Sequence, residues 1–167
     1  MMKNIPGRYV RRRVISCGVI LTAVLLFMTD YALSEVKKCT GQTVYVPIYS
    51  HIYSGDREHP FLLAATLSIR NTDPDQPITV TEIDYYDSDG KLLKKYLQKH
   101  LTLNPMASTR IVIKESDKSG GSGANFIVKW ESKNKVTEPV IESIMIGTQV
   151  QQGISFTSRG QVIREID

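Results

Sequence analysis

The chain has 167 residues and a net charge of +4, a length that fits one domain. This net charge is unevenly distributed along the chain, because the five basic residues and one acidic residue of 1–34 account for all of it. The remainder is neutral, whereas nucleic-acid binding requires a basic patch on the folded part. We therefore expect no nucleic-acid partner.

The first 34 residues have the order of an export signal. A basic head that ends at Arg13 precedes an uncharged apolar run, 14–28, and a small-x-small pattern that ends at Ser34. This order is typical of a secretory signal peptide, and the run is short for a membrane span, which needs about 20 apolar residues. Two alternatives stay open, namely cleavage near Ser34 or retention of 14–34 as a membrane anchor.

Both alternatives place the domain outside the inner membrane, because a basic flank stays in the cytoplasm. We expect a periplasmic or extracellular protein that contacts a membrane only through 14–34. Cleavage would leave Cys39 as the single cysteine, so no internal disulfide can form. Cys39 lies in a polar lead-in, 35–42, where we expect a free thiol or a link between chains.

The rest of the chain, 43–167, reads as strands separated by turn-forming segments. Seven runs have strand patterning, at 43–53, 61–70, 78–87, 91–97, 109–113, 126–131 and 139–147. The segment 132–137 is predicted as a turn, and the tail of 149–166 as one more hairpin. Short strands at this spacing predict an all-β fold, a β-sandwich of about seven strands of the immunoglobulin or fibronectin type.

Alternation within the runs predicts the core. In the first run Val44, Val46 and Ile48 alternate with polar or aromatic residues, which indicates a half-buried strand. Pro47 has no amide hydrogen to donate, so this strand is expected at an edge or with a bulge. The expected core residues are Leu67, Ile69, Ile83, Ile111, Val128, Trp130 and Ile144.

Aromatic residues supply the first candidate binding surface. Tyr45, Tyr49 and Tyr53 recur at a spacing of four, which places them on one face of a single strand. Exposed together, they would suit contact with a sugar or a protein, whereas the tail hairpin would bury them if it packed there. Both alternatives stay open, and Phe156 and Arg159 in the tail are further candidates.

A polar loop at 114–125 supplies the second candidate, with three glycines and the polar residues Asp117, Lys118, Ser119 and Asn125. Backbone amides of such a loop can hold an anion. The loop lacks the GxxxxGK[ST] order and joins two strands, so nucleotide binding is not expected. A recognition loop on a rigid sheet and a plain connection remain.

Metal and catalytic sites are not expected, and neither is a cofactor. His51 and His59 lie near Arg57 and two acidic residues, but zinc sites use tighter pairs or cysteines. The segment 84–90 has acids before Gly90 as calcium loops do, yet lysines follow where a distal glutamate is needed, so a turn is predicted. No GxSxG sequence marks a nucleophilic serine, and no catalytic residue is assigned.

Five segments, at 43–55, 59–73, 84–97, 103–130 and 142–161, carry a resemblance to a known family. They include TVYVPIYSHIYSG at the start and ESIMIGTQVQQGISFTSRGQ at the end. The chain resembles the bacterial family called domain of unknown function 3124, over nearly all of the part after the signal. The resemblance implies a short exported protein and implies no activity.

The leading hypothesis is a non-enzymatic binding or assembly module of the bacterial envelope, whose partner is an envelope protein or a glycan. The first alternative is a periplasmic hydrolase-type enzyme with a site built from 49–59 and the glycine loop. The second alternative is a membrane-anchored accessory subunit, which requires that 14–34 be retained.

Overall fold

The computed structural model describes residues 36–53, 59–149 and 152–166. These ranges contain twelve β-strands and no helix, so the all-β prediction is confirmed. The strands are β1 (Lys38–Pro47), β2 (His51–Tyr53), β3 (Pro60–Leu62), β4 (Ala64–Arg70), β5 (Ile78–Tyr86), β6 (Leu92–Lys95), β7 (Leu101–Leu103), β8 (Ser108–Ile113), β9 (Asn125–Thr137), β10 (Val140–Gln149), β11 (Gln152–Arg159) and β12 (Gln161–Ile166).

Neither the predicted signal nor the predicted anchor can be placed, because 1–34 lies outside these ranges. In the part of the chain that the structure does describe, no helix has the length and apolar character needed to cross a membrane.

The strands form two main sheets, all of whose pairings are antiparallel. A six-stranded sheet has the order β12-β1-β9-β5-β6, with β7 also paired to β5. A four-stranded sheet has the order β11-β10-β4-β8, and β2 and β3 form a separate small hairpin. The two main sheets contribute the inner faces of a β-sandwich.

Two very short connections carry the chain between the sheets. Only Glu138 and Pro139 separate β9 from β10, and only Gly160 separates β11 from β12. The Gly160 amide donates to the Ile141 carbonyl oxygen at 2.8 Å, and a Cβ at Gly160 would lie 2.6 Å from the Val44 side chain. The tail is therefore not the predicted hairpin, because its two strands belong to different sheets.

The core forms where the inner faces meet. Phe126, Val128 and Trp130 alternate along β9 and are each 0% exposed. Five predicted core residues are confirmed as buried, namely Leu67, Ile69, Ile83, Val128 and Trp130.

Two of the predicted core residues are not fully buried. Ile111 packs against the core but is only half-buried. The prediction for Ile144 is wrong, because the buried residues of β10 are Ile141, Ser143 and Met145, and alternation turns Ile144 to the opposite face.

Strand β1 begins earlier than predicted and has a neighbouring strand on each side in the six-stranded sheet. It starts at Lys38, inside the segment predicted as a polar lead-in, and Cys39 is buried opposite Val136 of β9. The burial raises the pKa of the Cys39 thiol, and the charge of Glu138 adds to this. Segment 132–137 is likewise strand, not turn.

The strand that contains Pro47 was expected at an edge or with a bulge, and it has bulges, although these lie at residues 39–44 and not at Pro47. Strand β1 lies between β12 and β9, and its register shifts between Cys39 and Gly41 and again between Thr43 and Val44. Its pairing with β12 ends at Tyr45. Pro47 lies beyond that point, where no amide hydrogen is needed for β12.

The glycine loop between β8 and β9 is fastened to two other connections. The Gly120 carbonyl oxygen accepts hydrogen bonds from the amide of Ser88 at 3.0 Å and from its hydroxyl at 3.1 Å. The Gly121 carbonyl oxygen accepts from the Ser50 amide at 3.1 Å. These bonds hold the loop in place between the β5–β6 turn and the connection from β1 to β2. We call the loop, fixed in this way, the packed strut.

Gly120 is the tightest point of that strut. A Cβ at this position would lie 1.9 Å from the Tyr85 hydroxyl oxygen and 2.8 Å from the Ala124 Cβ. We predict that Gly120→Ala lowers the free energy of unfolding by about 1–3 kcal/mol, the usual cost of overpacking. Urea unfolding measures this.

Gly153→Ala is the matched control, because the nearest atom of the described residues to its added Cβ is 4.0 Å away. The control should unfold at the wild-type urea concentration or slightly above it, since alanine restricts the unfolded chain. Equal midpoints for Gly120→Ala and wild type would contradict the packed strut.

The turn between β4 and β5 is organised by a buried carboxylate. Asp73 Oδ1 accepts from the amides of Asp75 and Gln76 at 3.0 and 2.9 Å, and Oδ2 accepts from the Thr137 amide at 2.9 Å. These bonds, led by the one from Thr137, lower the pKa of Asp73 below its ordinary value. The carboxylate thereby joins the turn to the end of β9.

Because the folded state lowers this pKa, the stabilisation is complete above the ordinary aspartate value of about 4 and is lost as the pH falls through the folded value. We predict that Asp73→Asn destabilises the protein at pH 6, and that the difference from wild type shrinks at pH 3. Urea unfolding at both pH values measures the difference.

Asp75→Asn serves as the control, since it removes the same charge from an exposed neighbour. It should change the pH dependence much less. If the two variants lose stability in parallel at every pH, the assigned role of Asp73 fails.

Candidate functional site

The three candidate tyrosines do not share one face, because β1 ends at Pro47 and β2 begins only at His51. Tyr45 is half-buried within β1, opposite Ile127 of β9. Tyr49 is half-buried, with its ring 5.7 Å from that of Phe156 in an edge-to-face contact. Tyr53 is 55% exposed on the small hairpin. Of the two alternatives, a single exposed surface of three tyrosines does not form, and the tail covers only Tyr49, through Phe156.

The histidine region holds one aromatic pair. The rings of His51 and Tyr53 are 5.3 Å apart and nearly perpendicular, and the buried His51 Nδ1 has no hydrogen-bond partner among the described residues. His59 is exposed, and Arg57 lies outside the described residues. Within the ranges described, no three His, Cys, Asp or Glu side chains are grouped so that they could hold a metal ion.

Two of the four polar candidates of the glycine loop bond to each other. Asp117 Oδ1 accepts from the amide of Ser119 at 3.0 Å and from its hydroxyl at 2.6 Å. Lys118 is exposed, and Asn125 is half-buried at the start of β9. Burial, followed by the charge of Asp117, raises the pKa of Tyr85 to about 12. This loop thus supports the fold, and within the described residues no hydrogen bond joins Asp117 or Ser119 to His51 or His59.

The calcium-like segment is the turn that was predicted. The Asp87 carboxylate accepts from the amides of Asp89 and Lys91 at 3.0 and 2.8 Å. Asp84 is buried and pairs with Lys95 at 2.9 Å. The hydrogen bond and the charge of Asp84 raise the pKa of Lys95, so these carboxylates already have partners.

The surface that stands out is the outer side of the four-stranded sheet. Two large aliphatic residues there are about half exposed, Val112 at 55% and Ile146 at 53%. Thr66 lies directly opposite both Val112 on β8 and Ile144 on β10. Neighbouring strands are about 4.8 Å apart, so these side chains form one continuous patch. We call this patch the aliphatic face, and it consists of Ala64, Thr66, Val112, Ile144 and Ile146.

Charges border the aliphatic face on one side. The next row of the same sheet reads Arg159, Glu142, Ser68 and Arg110 across its four strands. Glu142 lies 3.9 Å from Arg70, while Arg110 and Arg159 are exposed and form no ion pair with any described residue. We call Arg70, Arg110 and Arg159 the arginine rim.

Sequence reasoning found Arg159 and missed the aliphatic face. A signal was present, because β8 and β10 contain consecutive apolar residues, at 111–113 and at 144–146. A strand that is apolar on both sides is expected to be covered on both sides. Here only one side of each strand faces the core, so the other side is left exposed.

A cleft of about 240 Å³ lies at the corner where β11 passes into β12. Val44, Ile141 and Val162 are among its apolar lining residues. Glu138 in this lining accepts a hydrogen bond from the side-chain amide of Gln42 at 2.5 Å and pairs with Lys37 at 3.0 Å. Arg159, which forms no ion pair with a described residue, also lines the cleft, so the cleft and the arginine rim share this guanidinium group.

Comparisons with known proteins yield one solved structure and one family. The crystal structure titled Thermotoga maritima 1070 is similar over 72% of this chain and 92% of that chain, with 17% identity and a TM-score of 0.44. No curated protein matches the chain.

The family match covers most of the described domain. The sequence profile of the family described as "Protein of unknown function (DUF3124)" matches residues 41–163, from β1 into β12. That span is well over half of the chain, and this protein belongs to the DUF3124 family.

Proposed function

We propose that this protein is an exported, non-enzymatic binding or assembly module of the bacterial envelope, and that it contacts a protein partner through the aliphatic face. The observation that carries the proposal is the exposure of Val112 and Ile146 on a patch without charged side chains. Contiguous exposed apolar surface of this kind is typical of protein contact sites.

The chemistry of the face favours a protein over a glycan. Its side chains are aliphatic or threonine, and its centre carries no charge, as in the apolar centres of protein interfaces. The aromatic residues that would suit a sugar lie elsewhere, with Tyr49 and Phe156 packed on each other. A glycan partner therefore has less support from these contacts.

The arginine rim specifies the charge of the partner. Arg110 and Arg159 lie at opposite ends of one row, four strands wide, and neither has an acidic partner among the described residues. Guanidinium groups bind carboxylates with paired hydrogen bonds. We infer a partner surface with an apolar centre and acidic residues along one border.

Export gives the first test of this proposal. We predict that the protein recovered from the bacterial envelope begins at Glu35, because the small-x-small pattern ends at Ser34 and signal peptidase recognises such a pattern. Mass spectrometry of the intact protein measures its N-terminus.

Replacing both Ala32 and Ser34 by leucine is the control, since it removes the small residues and should leave the leader attached. A wild-type protein that retains 1–34 would identify an anchored subunit instead, and recovery from the cytoplasm would contradict export.

Photo-cross-linking tests the contact surface. We predict that a photoreactive amino acid at Ile146 or Val112 captures a protein partner in living cells, because both side chains project from the aliphatic face. The products are resolved by gel and identified by mass spectrometry.

Ile163 on β12 is the matched control, since it is aliphatic and 57% exposed but belongs to the other sheet. The double variant Arg110→Glu, Arg159→Glu should reduce capture at Ile146, because its carboxylates would repel the acidic border inferred for the partner. Equal capture from Ile163 and Ile146, or none from either residue of the aliphatic face, would refute this contact surface.

A further inference from the structure

We propose that the β11 edge of the four-stranded sheet binds the same edge of a second copy, so that two sandwiches share one continuous eight-stranded sheet. This inference does not depend on the proposed partner of the aliphatic face, because it uses the backbone of β11. An exposed sheet edge presents unpaired amide and carbonyl groups that can template another strand.

Strand β11 is the least protected of the four sheet edges. It pairs with β10 through eight consecutive residues without a register shift, and it contains no proline and a single charge, Arg159, at its end. The other edges carry features that oppose pairing. Two lysines end β6, Arg110 lies within β8, and a bulge interrupts the pairing of β12 with β1.

The hydrogen bonds fix which amides of β11 are free. The Ile141 carbonyl oxygen accepts from the Gly160 amide, so the backbone of Ile141 faces β11. Directions alternate along a strand, and therefore Ser143 and Met145 also face β11, where their partners are Ser158 and Phe156.

The alternate residues of β11 have their backbone groups on the other side of the strand, away from β10. Gly153, Ser155, Thr157 and Arg159 direct their amide and carbonyl groups away from β10. No further strand pairs there among the described residues, since β11 ends the sheet. The open edge thus offers four evenly spaced residues to an incoming strand.

Two-fold symmetry then selects a register. Antiparallel pairing of two copies must place free residues opposite free residues, and an isologous contact repeats itself about the axis. The register that keeps every pair within Gly153–Arg159 sets Phe156 opposite Phe156 on the axis. It also sets Ser155 opposite Thr157, a pair of hydroxyl side chains that suits neighbouring strands.

The same register accommodates the one charge of the strand. Arg159 of each copy falls opposite Gly153 of the other, where the nearest atom of the described residues to an added Cβ is 4.0 Å away. The two arginines lie at opposite ends of the contact, about 20 Å apart at 3.4 Å per residue. Self-pairing therefore creates no repulsion between like charges.

The axis also brings aromatic side chains together. Phe156 already packs edge-to-face on Tyr49 at 5.7 Å, on the inner side of β11. A second copy would add its own Phe156 at the cross-strand position, where aromatic pairs stabilise sheets. A second copy is thus a better match for this edge than a strand of unrelated sequence.

Thr157→Pro tests the contact without touching the fold. The Thr157 amide faces away from β10, and proline is tolerated on an edge strand where the amide faces solvent. Sedimentation velocity of the full chain over a range of concentrations should show a wild-type dimer. The variant should dissociate at a concentration about tenfold higher or more, because two symmetric hydrogen bonds are lost.

Thr157→Val is the matched control, since it retains the amide and the shape of the side chain and should remain dimeric. Urea unfolding confirms that both variants are folded. If the Thr157→Pro variant dimerises as tightly as wild type, or if wild type is monomeric at every concentration, the proposal is overturned.

Cysteines introduced one at a time test the register of the proposed contact. In the proposed register, Phe156→Cys places two thiols directly across the axis, at a Cα separation of about 4.5 Å that a disulfide can span. Oxidation should yield a dimer linked between two peptides that contain residue 156, identified by mass spectrometry.

Ser155→Cys and Ile154→Cys are the controls and should link far less. Preferred linkage at 155 would overturn the register, and linkage at none of the three would overturn the self-pairing. Capture of an unrelated extended peptide by β11 in place of a second copy would also refute the assignment of the occupant.

Discussion

The burial of one side of β9 between the two sheets is the constraint on which the rest of the structure depends. Phe126, Val128 and Trp130 are completely buried, and β9 pairs with β1 on one side and β5 on the other. The indole N–H of Trp130 has no hydrogen-bond partner among the described residues, and an unsatisfied buried donor costs about 1–3 kcal/mol. Burial of the large ring offsets that cost, so packing dominates at the centre.

The elements whose patterns reflect burial on one side could be predicted from the sequence. In β4, Ala65, Leu67 and Ile69 alternate with less buried residues, and the inward side was evident. The same holds for Trp130 and Val128 in β9. The all-β class follows from these alternations.

Features that depend on which strands meet could not be predicted in this way. Alternation describes one strand at a time, whereas β12 pairs with β1 at the other end of the chain. Gly160 appeared to be a hairpin turn, although it carries the chain from one sheet to the other. The polar composition of 35–42 concealed β1, whose start is fixed by pairing with the end of β9.

The candidate surface was hidden for a related reason. Sequence reasoning sought chemistry in polar and aromatic residues and found Arg159 and Phe156, which lie on β11. The loop residues Asp117 and Ser119 instead satisfy each other. The aliphatic face is recognisable only when the outward sides of β8 and β10 are known to be uncovered.

The placement of β12 beside β1 has a consequence for the timing of folding. The hydroxyl of Thr40 in β1 bonds to the carbonyl of Ile166, 126 residues later, so β1 cannot acquire this neighbour until nearly the whole domain has been synthesised. Contacts so distant along the chain form slowly. A nascent chain with this topology reaches its folded state late, which suits passage through a narrow translocation channel if the protein is exported as we propose.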